Sequence, residues 1–354
     1  MAYQSSELLD HRLTMLTEEK EARALAAKYR MQAEYERLAV PTINLLIKTK
    51  LSPWESLESI LFRASALNHL SGISALQRAL MLPDDGMMSI KRHLQLSVAL
   101  GHELRTLSPA IPTLMNKSTL RLYGHLLPSK HVALTSCRVC PRCLEETGYG
   151  RSYWSLAAFT VCETHNCPLI DSCPTCDKTL SAARPAYDQC ACGVQYSKIE
   201  SVSCSGPLHE MSTIIASKFT NQYINISTSV YPEEVLSMGL LDILELLAFL
   251  GALSDDAGAT YLNMSRKVVG LKYAHRLTKK ATNALLDWPT GFHRLLASAR
   301  SFRSYNETQA TVYKSISHIT GVIPIGSQRR WCNFILSGVE SFLNKRDAWG
   351  HSSF

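Results

Sequence analysis

The sequence predicts a mainly α-helical protein whose middle is held together by metal. Helix-period apolar stripes with cap signals flank both sides of the chain, and a dense run of paired cysteines lies between them. The 354 residues, 46% of them apolar and 19% charged, have the balance of a globular protein, which removes support from disordered, collagen-like and low-complexity classes. The longest apolar run, Leu240 to Leu253, is interrupted by Asp242 and Glu245 and falls short of the roughly 20 residues that cross a bilayer. No basic stretch and apolar core open the chain, so no secretory signal and no membrane partner are expected, and the protein is expected in the cytoplasm.

Taken in order, residues 1–40 predict a helical extension, rich in Ala, Leu, Glu, Lys and Arg, with Leu9, Leu13, Leu16, Ala24 and Ala27 as a possible packing stripe. Residues 41–130 predict a helix-turn-helix domain. Ser52-Pro53-Trp54-Glu55 reads as a capping box, with Ser52 the cap and Pro53 the first helical residue, and Leu57, Ile60, Leu61, Ala64 and Leu67 follow at helical spacing. Helices at Ser74 to Leu82 and Ser89 to Leu100 come next, and Gly101-His102 separates the latter from Glu103 to Leu107. Helix, short Gly turn and helix is the pattern of the DNA-binding motif, though a plain bundle gives the same pattern.

Residues 131–206 predict a double zinc-finger or zinc-ribbon-like domain. All of the eleven cysteines except Cys332 fall between Cys137 and Cys204, and in a reducing compartment such spacing reads first as metal chemistry. A CxxC turn converges two thiolates on one point, and tetrahedral zinc needs two such pairs. Cys140, Cys143, Cys162 and His165 make one set; Cys173, Cys176, Cys190 and Cys192 make the other. Each set supplies four ligands and leaves no position for an activated water, so two structural Zn2+ ions are expected. Cys137 or Cys167 stands as an alternative ligand of the first ion. Neither an HExxH helix nor a deaminase signature occurs, and no βαβ context supports a redox CxxC.

Residues 207–354 predict a basic helical domain. Pro232-Glu233-Glu234 opens a helix whose apolar positions, Val235 to Leu253, run nearly all round, and Trp331, Phe334, Ile335, Val339 and Phe342 form a later stripe capped by Ser327. From Thr260 to Phe354, fourteen Lys and Arg against four Asp and Glu leave +10, more than the +7 of the whole chain. Such an excess points to a polyanion, most simply nucleic acid, with a solvated surface as the plain alternative. Lys279, Lys280, Arg329 and Arg330 are the candidate contacts. No phosphate-binding loop, nucleophile elbow or framed carboxylate pair appears, so no enzyme is expected.

One string resembles a known family: Cys140-Pro141-x-Cys143-Leu144-x-Glu146-x-Gly148-Tyr149-x-Arg151-x-x-Trp154-x-Leu156, then Val161-Cys162-x-x-His165 and Cys173-Pro174-x-Cys176. It is similar to the zinc segment of the TniQ/TnsD family of transposon target-selection proteins. Pro53-Trp54-Glu55-Ser56-Leu57 with Arg63, and Asp287-Trp288-Pro289-x-Gly291-Phe292, resemble the flanking parts of the same family. The resemblance implies a non-catalytic bacterial adaptor. In the CRISPR-associated branch, which the chain length favours, a homodimer docks on a Cascade-type effector with its guide RNA and recruits the TnsC AAA+ ATPase, and through it the transposase, for RNA-guided insertion into target DNA. The alternative implied by the same family is a direct, sequence-specific reader of an attachment site.

Overall fold

The first helix begins where the backbone allows it. In a computed structural model that describes residues 43–82, 90–134, 136–204, 206–222, 229–253, 270–298 and 330–350, helix α1 spans Leu57–Leu67, four residues later than the capping-box reading places it. Trp54 is the reason: its φ of 58° is left-handed and cannot continue a helix. Ser52 to Glu55 close a turn instead, with Ser52 N donating to Glu55 Oε2 at 3.0 Å, and Ser56 becomes the cap, its Oγ accepting from Ser59 N at 3.2 Å. Leu57, Ile60, Leu61 and Ala64 are buried as their spacing requires, whereas Leu67 is 40% exposed. The expected extension over residues 1–40, Ser327 and Arg329 lie outside the described residues.

Helix α2 (Gly72–Ala79) packs on α1, and α3 (Ile90–Leu100) follows. Gly101 turns the chain with φ 73°, but the next helix, α4, is only Leu104–Leu107. One turn is about 6 Å long, too short to lie along a DNA groove as the second member of a helix-turn-helix. The chain then enters an antiparallel sheet that the sequence reading did not foresee, β1 (Thr113–Leu114), β2 (Thr119–Leu122) and β3 (His125–Pro128), in the order β1-β2-β3. Leu122 pairs with His125 across a two-residue turn, Tyr123-Gly124, in which both residues have positive φ, as a tight hairpin demands. Leu120, Leu122 and Leu127 are buried while Arg121 and Leu126 face solvent.

Helix α5 (Pro141–Thr147) belongs to the cysteine-rich segment, and among the described residues six more helices follow: α6 (Gly206–Thr220), α7 (Glu233–Leu236), α8 (Leu240–Ala252), α9 (Leu271–Leu285), α10 (Thr290–Ser298) and α11 (Arg330–Gly350). The described residues are therefore mainly helical. The single helix expected from Pro232 to Leu253 is broken, because Gly239 is extended (ψ 165°) and caps a new helix. Its second half, α8, is buried on nearly every side, as its composition predicts, and packs against α6, α9 and α11. On α11, Trp331, Phe334, Ile335 and Val339 are buried. Trp288 stacks on Phe334 and Phe292 with centroids at 4.0 and 5.0 Å, and Gly338 lies so close to it that a Cβ there would sit 2.6 Å from the indole.

One hydrophobic core runs through the helices and strands β2 and β3, from Leu45 to Val339. Phe219 of α6 shows how: its ring meets Trp54, Tyr123, His125 and Tyr153 with centroids 5.0 to 6.0 Å apart, joining the amino-terminal turn, the hairpin and the cysteine segment to the later helices.

Candidate metal centres and the seam around them

The two cysteine sets meet in space as their spacing predicts. In each, four donor atoms lie within 4.8 Å of one another: Cys140, Cys143, Cys162 and His165 in the first, Cys173, Cys176, Cys190 and Cys192 in the second. Two thiolates about 2.3 Å from one tetrahedral ion lie about 3.8 Å apart, which is the yardstick for fit. Cys143 and Cys162 sulfurs are 3.6 Å apart, and His165 Nδ1 lies 3.5, 3.2 and 3.5 Å from those of Cys140, Cys143 and Cys162. In the second set the pairs Cys173 with Cys192 and Cys176 with Cys190 are each 3.6 Å apart. Both clusters are thus compatible with structural zinc, whose chemistry here is to clamp loops; with four protein donors apiece, neither has an open position.

Local structure brings the ligands together. Cys140 caps α5 with extended backbone, its sulfur accepting from Cys143 N at 3.4 Å, and Pro141 supplies the preset φ of a first helical residue. Cys162 to Asn166 form a turn closed by Asn166 N on Cys162 O at 3.0 Å, which carries His165 back toward Cys162. His165 Nε2 meets Glu146 Oε2 at 2.7 Å, leaving Nδ1 for the metal, the carboxylate-imidazole pairing that orients metal-binding histidines. Hydrogen bonds from Cys140 and Cys143 lower the Cys162 thiol from its ordinary value. In the second set the backbone N–H of Cys192 acts first in bringing Cys190 down to about 6.

The alternative ligands separate. Cys137 is in neither set; its sulfur accepts from Arg184 Nη2 at 3.2 Å, and burial pushes its thiol well above the ordinary value. Cys167 lies 3.6 Å from Cys140 but outside the group of four mutually close donors.

Around the first centre runs a seam joining two strings far apart in sequence. Ser56 N donates to Gly150 O (2.9 Å), Ser152 N to Trp54 O (2.8 Å), and Gly150 N to Ser59 Oγ (3.1 Å). Gly150 admits no side chain, since a Cβ would fall 1.6 Å from Tyr187 Oη. Beneath the seam, fully buried Glu55 accepts from Ser59 Oγ at 2.7 Å and from Arg63 Nη1 at 2.6 Å. Tyr153 donates to Glu163 at 2.5 Å, and burial leads the causes that raise Glu163 above the usual carboxylate value. Sequence reasoning missed two buried arginines. Arg138 donates through Nη1 to the carbonyls of Leu156, Ala157 and Phe159 at 2.8 to 3.3 Å. Arg184 pairs with Glu58 at 2.9 Å and lies over the rings of Phe62 and Tyr187.

The basic candidates divide between two helices. Lys279 is exposed and Lys280 half-buried on α9, while Arg330 opens α11 with its Nη1 donating to Ser237 O at 3.1 Å. No described helix is long and apolar enough to cross a membrane.

Two clusters of four donors, each compatible with a closed structural zinc site, are set in a helical body. Residues 46–169 match the TniQ family model, so the chain carries a TniQ domain over that segment. The match takes in α1 to α5 and the whole first centre, and it ends before Cys173. No curated protein matches the chain.

Proposed function

We propose that the chain is a non-catalytic adaptor that selects the insertion target of a transposon. The TniQ match over residues 46–169, a domain that implies a role in transposition-associated target selection, carries this reading. The closed metal centres agree with it, because a clamp with four protein ligands holds shape rather than activating water. In the finer form, a pair of chains docks on a Cascade-type effector with its guide RNA and presents a platform to the TnsC ATPase, which brings the transposase. A second reading, direct recognition of target DNA, draws on the basic carboxyl-terminal stretch. A short helix pair is available for it in α1 and α2, joined by the turn at Asn68 to Ser71.

A tagged chain purified from cells that carry the genes neighbouring its own, with protein and RNA identified together, separates these forms. Effector subunits with a discrete RNA support the guide-RNA form. An ATPase or one DNA sequence without guide RNA supports direct reading. Absence of every transposition protein would contradict target selection itself.

A further inference from the structure

Helix α9 reads Leu-Lys-Tyr-Ala-His-Arg-Leu-Thr-Lys-Lys-Ala-Thr-Asn-Ala-Leu and has no acidic residue in its 15 positions. At about 100° per residue its charges are sorted sharply. Leu271, Ala274, Leu277, Thr278, Ala281, Thr282, Ala284 and Leu285 are buried against the body. Lys272, Arg276, Lys279 and Asn283 are all exposed, and they fall within about 60° of one another on the opposite side. Two anchors fix the orientation of this face: Leu271 N donates to Asp171 Oδ2 at 2.8 Å, and Gly251 of α8 meets Leu277 so closely that a Cβ there would lie 2.8 Å from its carbonyl oxygen. Tyr273 flanks the stripe, with the Arg276 guanidinium 4.8 Å from its ring centroid.

We infer that this face of α9 is a phosphate-binding surface for nucleic acid, contacting the backbone without reading bases. From Lys272 to Lys279 the helix rises about 10 Å, the distance over which one strand of a duplex offers about three phosphates. Three cations on one helix face at that spacing match a polyphosphate chain better than scattered surface lysines do, because the helix fixes the spacing of their attachment points before binding. Neither Lys272 nor Arg276 stood out in the sequence, where the basic excess is spread over the whole carboxyl-terminal stretch; Arg330, which did, is on another helix. The inference deepens the target-selection reading by naming the partner chemistry, and it is measured apart from it.

The test uses the full chain and the triple variant K272E/R276E/K279E, with fluorescence anisotropy on a random-sequence DNA duplex of about 30 base pairs and on a single-stranded RNA, titrated from about 50 to about 200 mM salt. Zinc content and melting temperature serve as the fold control. The wild-type chain is expected to bind with a log–log salt slope of about −3, and the variant to lose more than tenfold in affinity at low salt with a slope flatter by about 2.7 on duplex DNA. Preference for the duplex assigns the face to DNA, and preference for the single strand assigns it to RNA; both sustain a phosphate-binding face. A variant that folds and keeps the wild-type affinity and slope overturns the inference, and so does a wild-type chain that binds neither probe. Loss of every transposition partner in the purification described above, with α9-dependent binding intact, would remove the adaptor reading and leave this surface standing.

Discussion

Glu55 and Glu245 are buried carboxylates whose surroundings give each a distinct prediction. Glu55 has no exposed surface and bridges Ser52, Ser59 and Arg63, so truncating it removes the carboxylate partner of a guanidinium that keeps only Ser52 Oγ and Lys50 O. Glu55→Ala is expected to cost about 3 kcal/mol, the lower end for a buried pair because Arg63 is 28% exposed, as read from denaturant unfolding. Glu245 of α8 meets Lys130 Nζ at 2.8 Å and His131 Nε2 at 3.1 Å. Burial opposes its charge, but hydrogen bonds and attraction from His131 and Lys130 prevail and bring its carboxyl down from 4.5 to about 2. A depressed folded value means stability that is present above about pH 4.5 and lost as pH falls toward 2. Glu245→Gln is therefore expected to cost about 3 kcal/mol at neutral pH, with the gap to wild type closing over that acid range in paired unfolding curves; a constant gap would contradict the assignment. At this scale the metal ligands were legible because a CxxC turn aims both sulfurs by itself. Glu146, Arg138 and Arg184 were not, since an exposed-looking helix acid and two arginines acquire partners only when distant segments meet.

Helices with long apolar stripes were readable as elements, while their ends followed local backbone geometry that no stripe encodes. Trp54 delays α1, Gly239 splits the expected helix before α8, and Ala110 to Pro128, short alternating segments with a Tyr-Gly turn, form a hairpin sheet without the usual Asn-Gly signal. The helix after Gly101 ends at Leu107, as the sequence reading places it, and Ser108-Pro109-Ala110 follows as a 3-10 turn. The corner between α10 and α11 depends on close approach. Gly338→Val puts a branched side chain against Trp288, which already stacks on Phe334, and is expected to lower stability by about 2 kcal/mol and to reduce the near-ultraviolet signal of the buried tryptophans. Retention of both would mean that α11 does not pack against Trp288 in this way.

Across the whole molecule, two short-loop metal clamps and one continuous core do the holding. The TniQ segment ends between the two clamps, yet Thr278 of α9 donates to Ala158 O at 3.4 Å and Cys204 N to Asn166 O at 2.8 Å, so the later helices rest on the first clamp's own loops. The clamps differ in access. Cys140, Cys143 and Cys162 are buried, whereas Cys192 is exposed and Cys176 half-buried. A chelator titration should accordingly remove metal in two phases, the second centre first, with Cys176→Ser abolishing the early phase; loss in the opposite order would reverse this ranking. The most direct test of two closed zinc centres is native mass spectrometry of the full chain and of its Cys143→Ser and Cys176→Ser variants. Two zinc ions on the wild-type chain and one on each variant are the expected result; a wild-type chain with fewer than two, or variants that keep both, would contradict the account.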